Sequence, residues 1–135
     1  MRALVATDHG VVDVDVEEEL VLGLDSEATL ERQPAPSVSL PLLVAADALG
    51  ARIVAVLDRR PPIAVSDDAG TTWREAGGGL PPGRAVAIHP DDPDVVLYAA
   101  RNRLYLSRDG GRFWASLAPE LPEIVAVAWV DEPAR

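Results

Sequence analysis

The side chains in this sequence best suited to chemistry are arginines set in turns. Asp58-Arg59-Arg60 precedes Pro61-Pro62, and Arg101-Asn102-Arg103 separates two apolar runs. Guanidinium groups are planar, bidentate donors, so several gathered on one rim would grip a carboxylate or a phosphate. The plain alternative for turn arginines is solvation. His9, in an Asp8-His9-Gly10 turn, adds a group able to exchange a proton near neutral pH, or serves simply as a polar turn residue. The acidic clusters Asp67-Asp68 and Asp91-Asp92-Pro93-Asp94 offer oxygen ligands, yet acidic turns are ordinary solvated loops, so no metal site is expected. Tyr98 and Tyr105 lie inside apolar runs, where tyrosine packs more often than it attacks. His89 precedes Pro90 in a turn and reads as structural. Gly77-Gly78-Gly79 lacks the following lysine and helix of a phosphate-binding loop, and no Ser-His-Asp context or histidine cluster stands out. No catalytic residue and no cofactor follow from these residues.

Composition narrows the partners. The 135 residues carry a formal charge of −10, and every basic side chain is arginine. That balance argues against a protein that wraps nucleic acid. Cysteine is absent, which excludes disulfides and thiolate metal sites and allows an intracellular compartment. The most apolar stretch, residues 40–57, is interrupted by Asp47, Gly50 and Arg52, so no membrane span is expected. The short apolar start runs straight into Asp8 and His9 without a secretory pattern. A single cytoplasmic domain over residues 1–135 is the expectation.

The elements that position the arginines are disclosed by a repeat. Ser66-Asp67-Asp68-Ala69-Gly70-Thr71-Thr72-Trp73 and Ser107-Arg108-Asp109-Gly110-Gly111-Arg112-Phe113-Trp114 share Ser, Asp, Gly and Trp at four offsets, and Ser66 and Ser107 stand 41 residues apart. That period suits one four-stranded propeller blade. The flanking runs repeat as well. Residues 42–46, 52–57 and 63–65 precede the first motif, and residues 84–88, 95–99 and 104–106 precede the second. Each set reads as three antiparallel strands, with a fourth starting at the motif tryptophan. At the start of the chain, Ala3 to Val12 reads as the second and third strands of a degenerate blade, its fourth lying between Leu20 and Arg32. Glu123 to Val130, followed by Asp131-Glu132-Pro133, reads as one more innermost strand. The expected blades are thus residues 1–37, 38–81 and 82–122, with 123–130 as a closing strand.

The two motifs resemble the Asp-box, or bacterial neuraminidase (BNR), repeat, Ser-x-Asp-x-Gly-x-Thr-Trp. The first matches at Ser66, Asp68, Gly70, Thr72 and Trp73. The second matches at Ser107, Asp109, Gly111 and Trp114, with Phe113 where threonine is expected. Residues 86–114 are also similar to blades of sialidase-like and photosystem II assembly-factor propellers, although His89 replaces the aspartate expected before Pro90. The resemblance covers residues 38–130 and weakens before them. It implies an all-β propeller whose boxes are hairpin devices lying opposite the usual ligand face. Sialidases of this kind use an arginine triad, a tyrosine nucleophile assisted by a glutamate, and an aspartate. Here neither Tyr98 nor Tyr105 has a recognisable glutamate partner.

In such a propeller the turns between second and third strands surround the channel mouth. His9, Arg59, Arg60, Arg101, Asn102 and Arg103 would therefore share one face and take an anionic small molecule or an acidic protein segment. The favoured function is a non-enzymatic binding or scaffold propeller. A glycosidase-like hydrolase and a structural subunit of a larger assembly are the alternatives. A missing innermost strand at the front and a surplus one at the back predict a six-bladed ring of two chains, with twofold symmetry and three blades each. In that scheme Glu123 to Val130 completes the partner's first blade. The competing topology makes Arg2 to Asp8 an innermost strand itself.

Overall fold

The computed structural model describes residues 1–30 and 36–130. It is all-β: three antiparallel four-stranded sheets and, among the described residues, no helix long and apolar enough to cross a membrane. In chain order the strands are β1 (Arg2–Thr7), β2 (Gly10–Asp15), β3 (Leu20–Asp25), β4 (Leu43–Leu49), β5 (Arg52–Leu57) and β6 (Ile63–Ser66). They continue as β7 (Arg74–Ala76), β8 (Ala85–His89), β9 (Asp92–Ala99), β10 (Leu104–Ser107), β11 (Ala115–Ser116) and β12 (Ile124–Trp129). The fourth strand expected between Leu20 and Arg32 is β3. Arg32 itself, and the turn expected at Asp131-Glu132-Pro133, lie outside the described residues.

The second sheet is ordered β4-β5-β6-β7 and the third β8-β9-β10-β11, as the repeat predicts. The first sheet is ordered β12-β1-β2-β3. Here one expectation is corrected. The terminal strand does not leave for a partner chain but pairs with β1 of its own chain, Ala3 opposite Trp129 and Val5 opposite Val127. Two further backbone bonds, Asp8 N–H to the Glu123 carbonyl and Val130 N–H to the Arg2 carbonyl, fasten its ends. Strand β1 has unpaired backbone groups on one edge, and a strand of the same chain satisfies them at the lowest entropic cost. The same pairing overturns the competing topology, because β1 is second in its sheet, not innermost.

The third sheet lies between the other two. Val86, Ile88, Val96 and Tyr98 pack on Val54, Val56, Ile63 and Val65 of the second sheet. Its opposite face, with Leu97, Ala99 and Leu104, packs on Ala3, Val5, Val12, Val14 and Ile124 of the first. Being covered on both faces explains why β9 reads Val-Val-Leu-Tyr-Ala without alternation: residues inside a sandwich need no polar side. Strand β5 is equally apolar because Leu40, Ala46 and Trp73 cover the second sheet's outer face around Ala55, Leu57 and Ala64.

Candidate functional site

The two boxes fold into the same hydrogen-bonded loop. Ser66 and Ser107 are buried, and each hydroxyl accepts the N–H of its box glycine, Gly70 at 2.8 Å and Gly111 at 2.9 Å. Each hydroxyl donates to the box aspartate, Asp68 or Asp109, at 2.8 Å. Asp68 then accepts the N–H and hydroxyl of Thr72, and Asp109 accepts the N–H groups of Arg112 and Phe113. These donors favour the charged form. They hold the Asp68 carboxyl down to about 2 and lower that of Asp109. Gly70 and Gly111 both sit at φ 93°, a conformation that side chains resist. Trp73 and Trp114 close each loop with an indole N–H to the glycine carbonyl, at 3.1 and 2.9 Å. The side-chain polar groups of Ser66, Asp68 and Trp73, and of Ser107, Asp109 and Trp114, all bond within their own turn, which makes the box a structural device.

The boxes also tie the sheets together. Arg52 pairs with Asp67 of the first box and donates to the Pro93 carbonyl at 2.8 Å, while Arg74 donates to the Gly110 carbonyl of the second box at 2.6 Å. Asp91, Asp92 and Asp94 stand in or beside the neighbouring β8–β9 turn, where Asp92 accepts the Asp94 N–H. Among the described residues no three His, Cys, Asp or Glu side chains group to hold a metal ion.

The opposite end gathers the sequence-predicted site residues. The β9–β10 turn is bonded to the loop before β12, with Leu121 N–H on the Asn102 carbonyl and Ile124 N–H on the Arg101 carbonyl. Within that end the residues divide. Asn102 is engaged with Glu120 at 3.0 Å, and Arg103 caps the carbonyls of Leu117 and Ala118. Arg101 pairs with Glu123 at 3.3 Å, and the same carboxylate holds Arg84 at 3.2 Å. His9 is exposed, its Nδ1 3.1 Å from Asp8 Oδ1. Arg59 stands 3.9 Å from Glu75, and Arg60 lines a small pocket beside it. The predicted arginines therefore share an end of the molecule without forming one ring of free donors.

Sequence reasoning missed the residues between these ends. The innermost strands β4, β8 and β12 line an open trough of about 780 Å³. Strand β8 has one unpaired edge in it, and its neighbours satisfy that edge with side chains. Asp47 of β4 accepts the Ile88 N–H at 2.8 Å, and the Trp129 indole of β12 donates to the Ala87 carbonyl at 3.1 Å. Burial pushes the Asp47 carboxyl up, against the pull of the Ile88 and Ala48 N–H groups. The signal for Asp47 was available: it is the one charge in the run Leu43 to Leu49.

Tyr98 is fully buried, and its hydroxyl donates to the Pro81 carbonyl at 2.7 Å. Its phenol is pushed up, by burial first and then by Tyr105, which meets it edge-on at 6.1 Å between ring centres. A phenol so held serves the core. Comparison with family models, with curated proteins and with solved structures gave no match. The class that the geometry defines is therefore the coarse one, an all-β chain of three packed four-stranded sheets.

Proposed function

We propose that this chain is half of a six-bladed Asp-box propeller, completed by a second copy, and that the ring is a non-enzymatic binding or scaffold module. The observation that carries the reading is that one sheet interface is used twice within the chain and left half-made at both ends. The face of the second sheet that packs on the third carries Val54, Val56, Ile63 and Val65. The face of the third that packs on the first carries Leu97 and Leu104, one repeat beyond Val56 and Ile63. The outer face of the first sheet, and that of the second, which only Leu40, Ala46 and Trp73 of its own blade cover, are the two halves of that contact on which no further sheet packs.

Exposed apolar residues support this. Among the described residues nine large hydrophobics are left exposed, and eight belong to the two end sheets or the residue entering them: Leu20, Val21, Leu22, Leu24, Leu42, Leu43, Val44 and Val125. Joining two copies head to tail around a twofold axis would cover the end faces and turn the trough into a channel. The turn-rich end, with Arg59, Arg60, Arg84 and Arg101, would ring one mouth of that channel and receive an anionic small molecule or an acidic protein segment. No nucleic acid or membrane partner and no cofactor enter the proposal, and the compartment proposed is the cytoplasm.

Absolute mass by light scattering after size exclusion tests the closure. A species of twice the 14.3 kDa chain, split to a folded monomer by Leu43→Arg, is expected. A monomer at all concentrations would overturn the ring. A second reading, a structural subunit of a larger assembly, is favoured by β3, whose unpaired edge carries four apolar side chains about half exposed. A discrete mass above the dimer would select it.

A further inference from the structure

Among the arginines of the turn-rich end, Arg60 differs from the rest. Within the described residues it makes no hydrogen bond and no ion pair, and Arg59 beside it reaches Glu75 only at 3.9 Å. Both guanidinium-bearing residues line a pocket of about 200 Å³ whose apolar wall includes Leu57, Leu80 and Pro82. Backbone bonds fix this wall. Leu57 N–H donates to the Pro62 carbonyl at 2.7 Å, closing the arginine turn, and Leu80 N–H donates to the Gly77 carbonyl at 3.1 Å.

A cationic rim against an apolar wall matches a molecule charged at one end and apolar at the other. Asp58 lies on the same rim, and its charge opposes a second negative charge on the occupant. The volume is below the roughly 300–1,000 Å³ of sites for drug-sized ligands. We infer that this pocket binds a small monocarboxylate with an apolar body. The carboxylate takes the free donors of Arg60 with Arg59 beside it, and the body lies on Leu57, Leu80 and Pro82. The inference rests on the reading that this end of the molecule takes anions, and it narrows that reading to one pocket and one ligand class.

The test is titration of the full chain with benzoate, and separately with inorganic phosphate, followed by backbone amide NMR. Benzoate should shift the amides of residues 57–60, 77–80 and 83 saturably, while phosphate leaves them in place. Arg60→Gln should weaken benzoate about tenfold or more, the scale of losing a charge-assisted hydrogen bond, and Arg60→Lys should weaken it less. Equal affinity of the Gln variant, or phosphate binding as well as benzoate, would overturn the inference. Anion-dependent shifts at Arg84 and Arg101 alone would overturn the pocket yet leave the broader reading standing. Absence of shifts with either anion would remove both.

Discussion

Asp47 and Ile88 stand 41 residues apart and are joined directly, the Asp47 carboxylate accepting the Ile88 backbone N–H at 2.8 Å between adjacent sheets. Replacing Asp47 by Ala would leave that buried N–H without an acceptor, a loss of about 1–3 kcal/mol. Asp47→Asn keeps an acceptor and should cost less. Urea denaturation of the two variants checks the order.

The same carboxylate makes a pH prediction. Its folded-state value is raised by burial, so the folded chain takes up this proton before the unfolded chain does. Between the raised value and the ordinary one of 3.8, Asp47 favours folding more as pH falls. Wild type should therefore gain stability relative to Asp47→Asn as pH is lowered through that window. A gap that widens the other way would refute the assignment of burial as the dominant cause.

The boxes predict the opposite sign. Asp68 is held at about 2, so its contribution is present above the ordinary value of 3.8 and lost as pH falls towards 2. Thr72 supplies a hydroxyl donor that Phe113 cannot give Asp109. Carboxyl NMR titration should find Asp68 below Asp109, and Thr72→Val should raise Asp68 alone.

Gly83 is required by a close approach, not by an unusual backbone angle. A Cβ there would lie 2.4 Å from the Tyr98 hydroxyl oxygen and 2.5 Å from its ring. Gly83→Ala should destabilise the chain by about 1–3 kcal/mol through overpacking, measured by chemical denaturation. A neutral result would mean that the loop over Tyr98 yields.

The terminal strand tests the cis pairing. Deleting residues 123–135 removes β12, bares the edge of β1 and strips the Trp129 indole from the Ala87 carbonyl. The truncated chain should aggregate or lose cooperative unfolding. A well-folded truncated monomer would show that the first sheet stands without its innermost strand.

The repeat made most strands legible. Spacing from Ser66 to Ser107 placed β4 to β6 and β8 to β10 within a few residues, because each motif pins a hairpin whose flanks must be strands. The closing strand was legible as a strand but not by partner. A bare edge on β1 can be filled by any chain, and which chain fills it depends on long-range geometry. The arginine rim was half legible. Turn position put Arg59, Arg60, Arg101 and Arg103 at one end, but their acceptors come from loops distant in sequence. Glu75 faces Arg59, Glu123 faces Arg101, and the Leu117 carbonyl faces Arg103. Pairing of that kind leaves no local mark.

Pairing Ala3 with Trp129 also orders events during synthesis. The ribosome makes β1 before the other eleven strands and β12 after them, so at about 5–20 residues per second the first hairpin waits on the order of ten seconds for its inner neighbour. During that interval the second and third sheets can assemble as they emerge, while the nascent first sheet carries an open edge on β1 and an apolar strand, β3, at its other edge. Newly made chains would be most vulnerable to mispairing with one another then, and most in need of a chaperone at that edge.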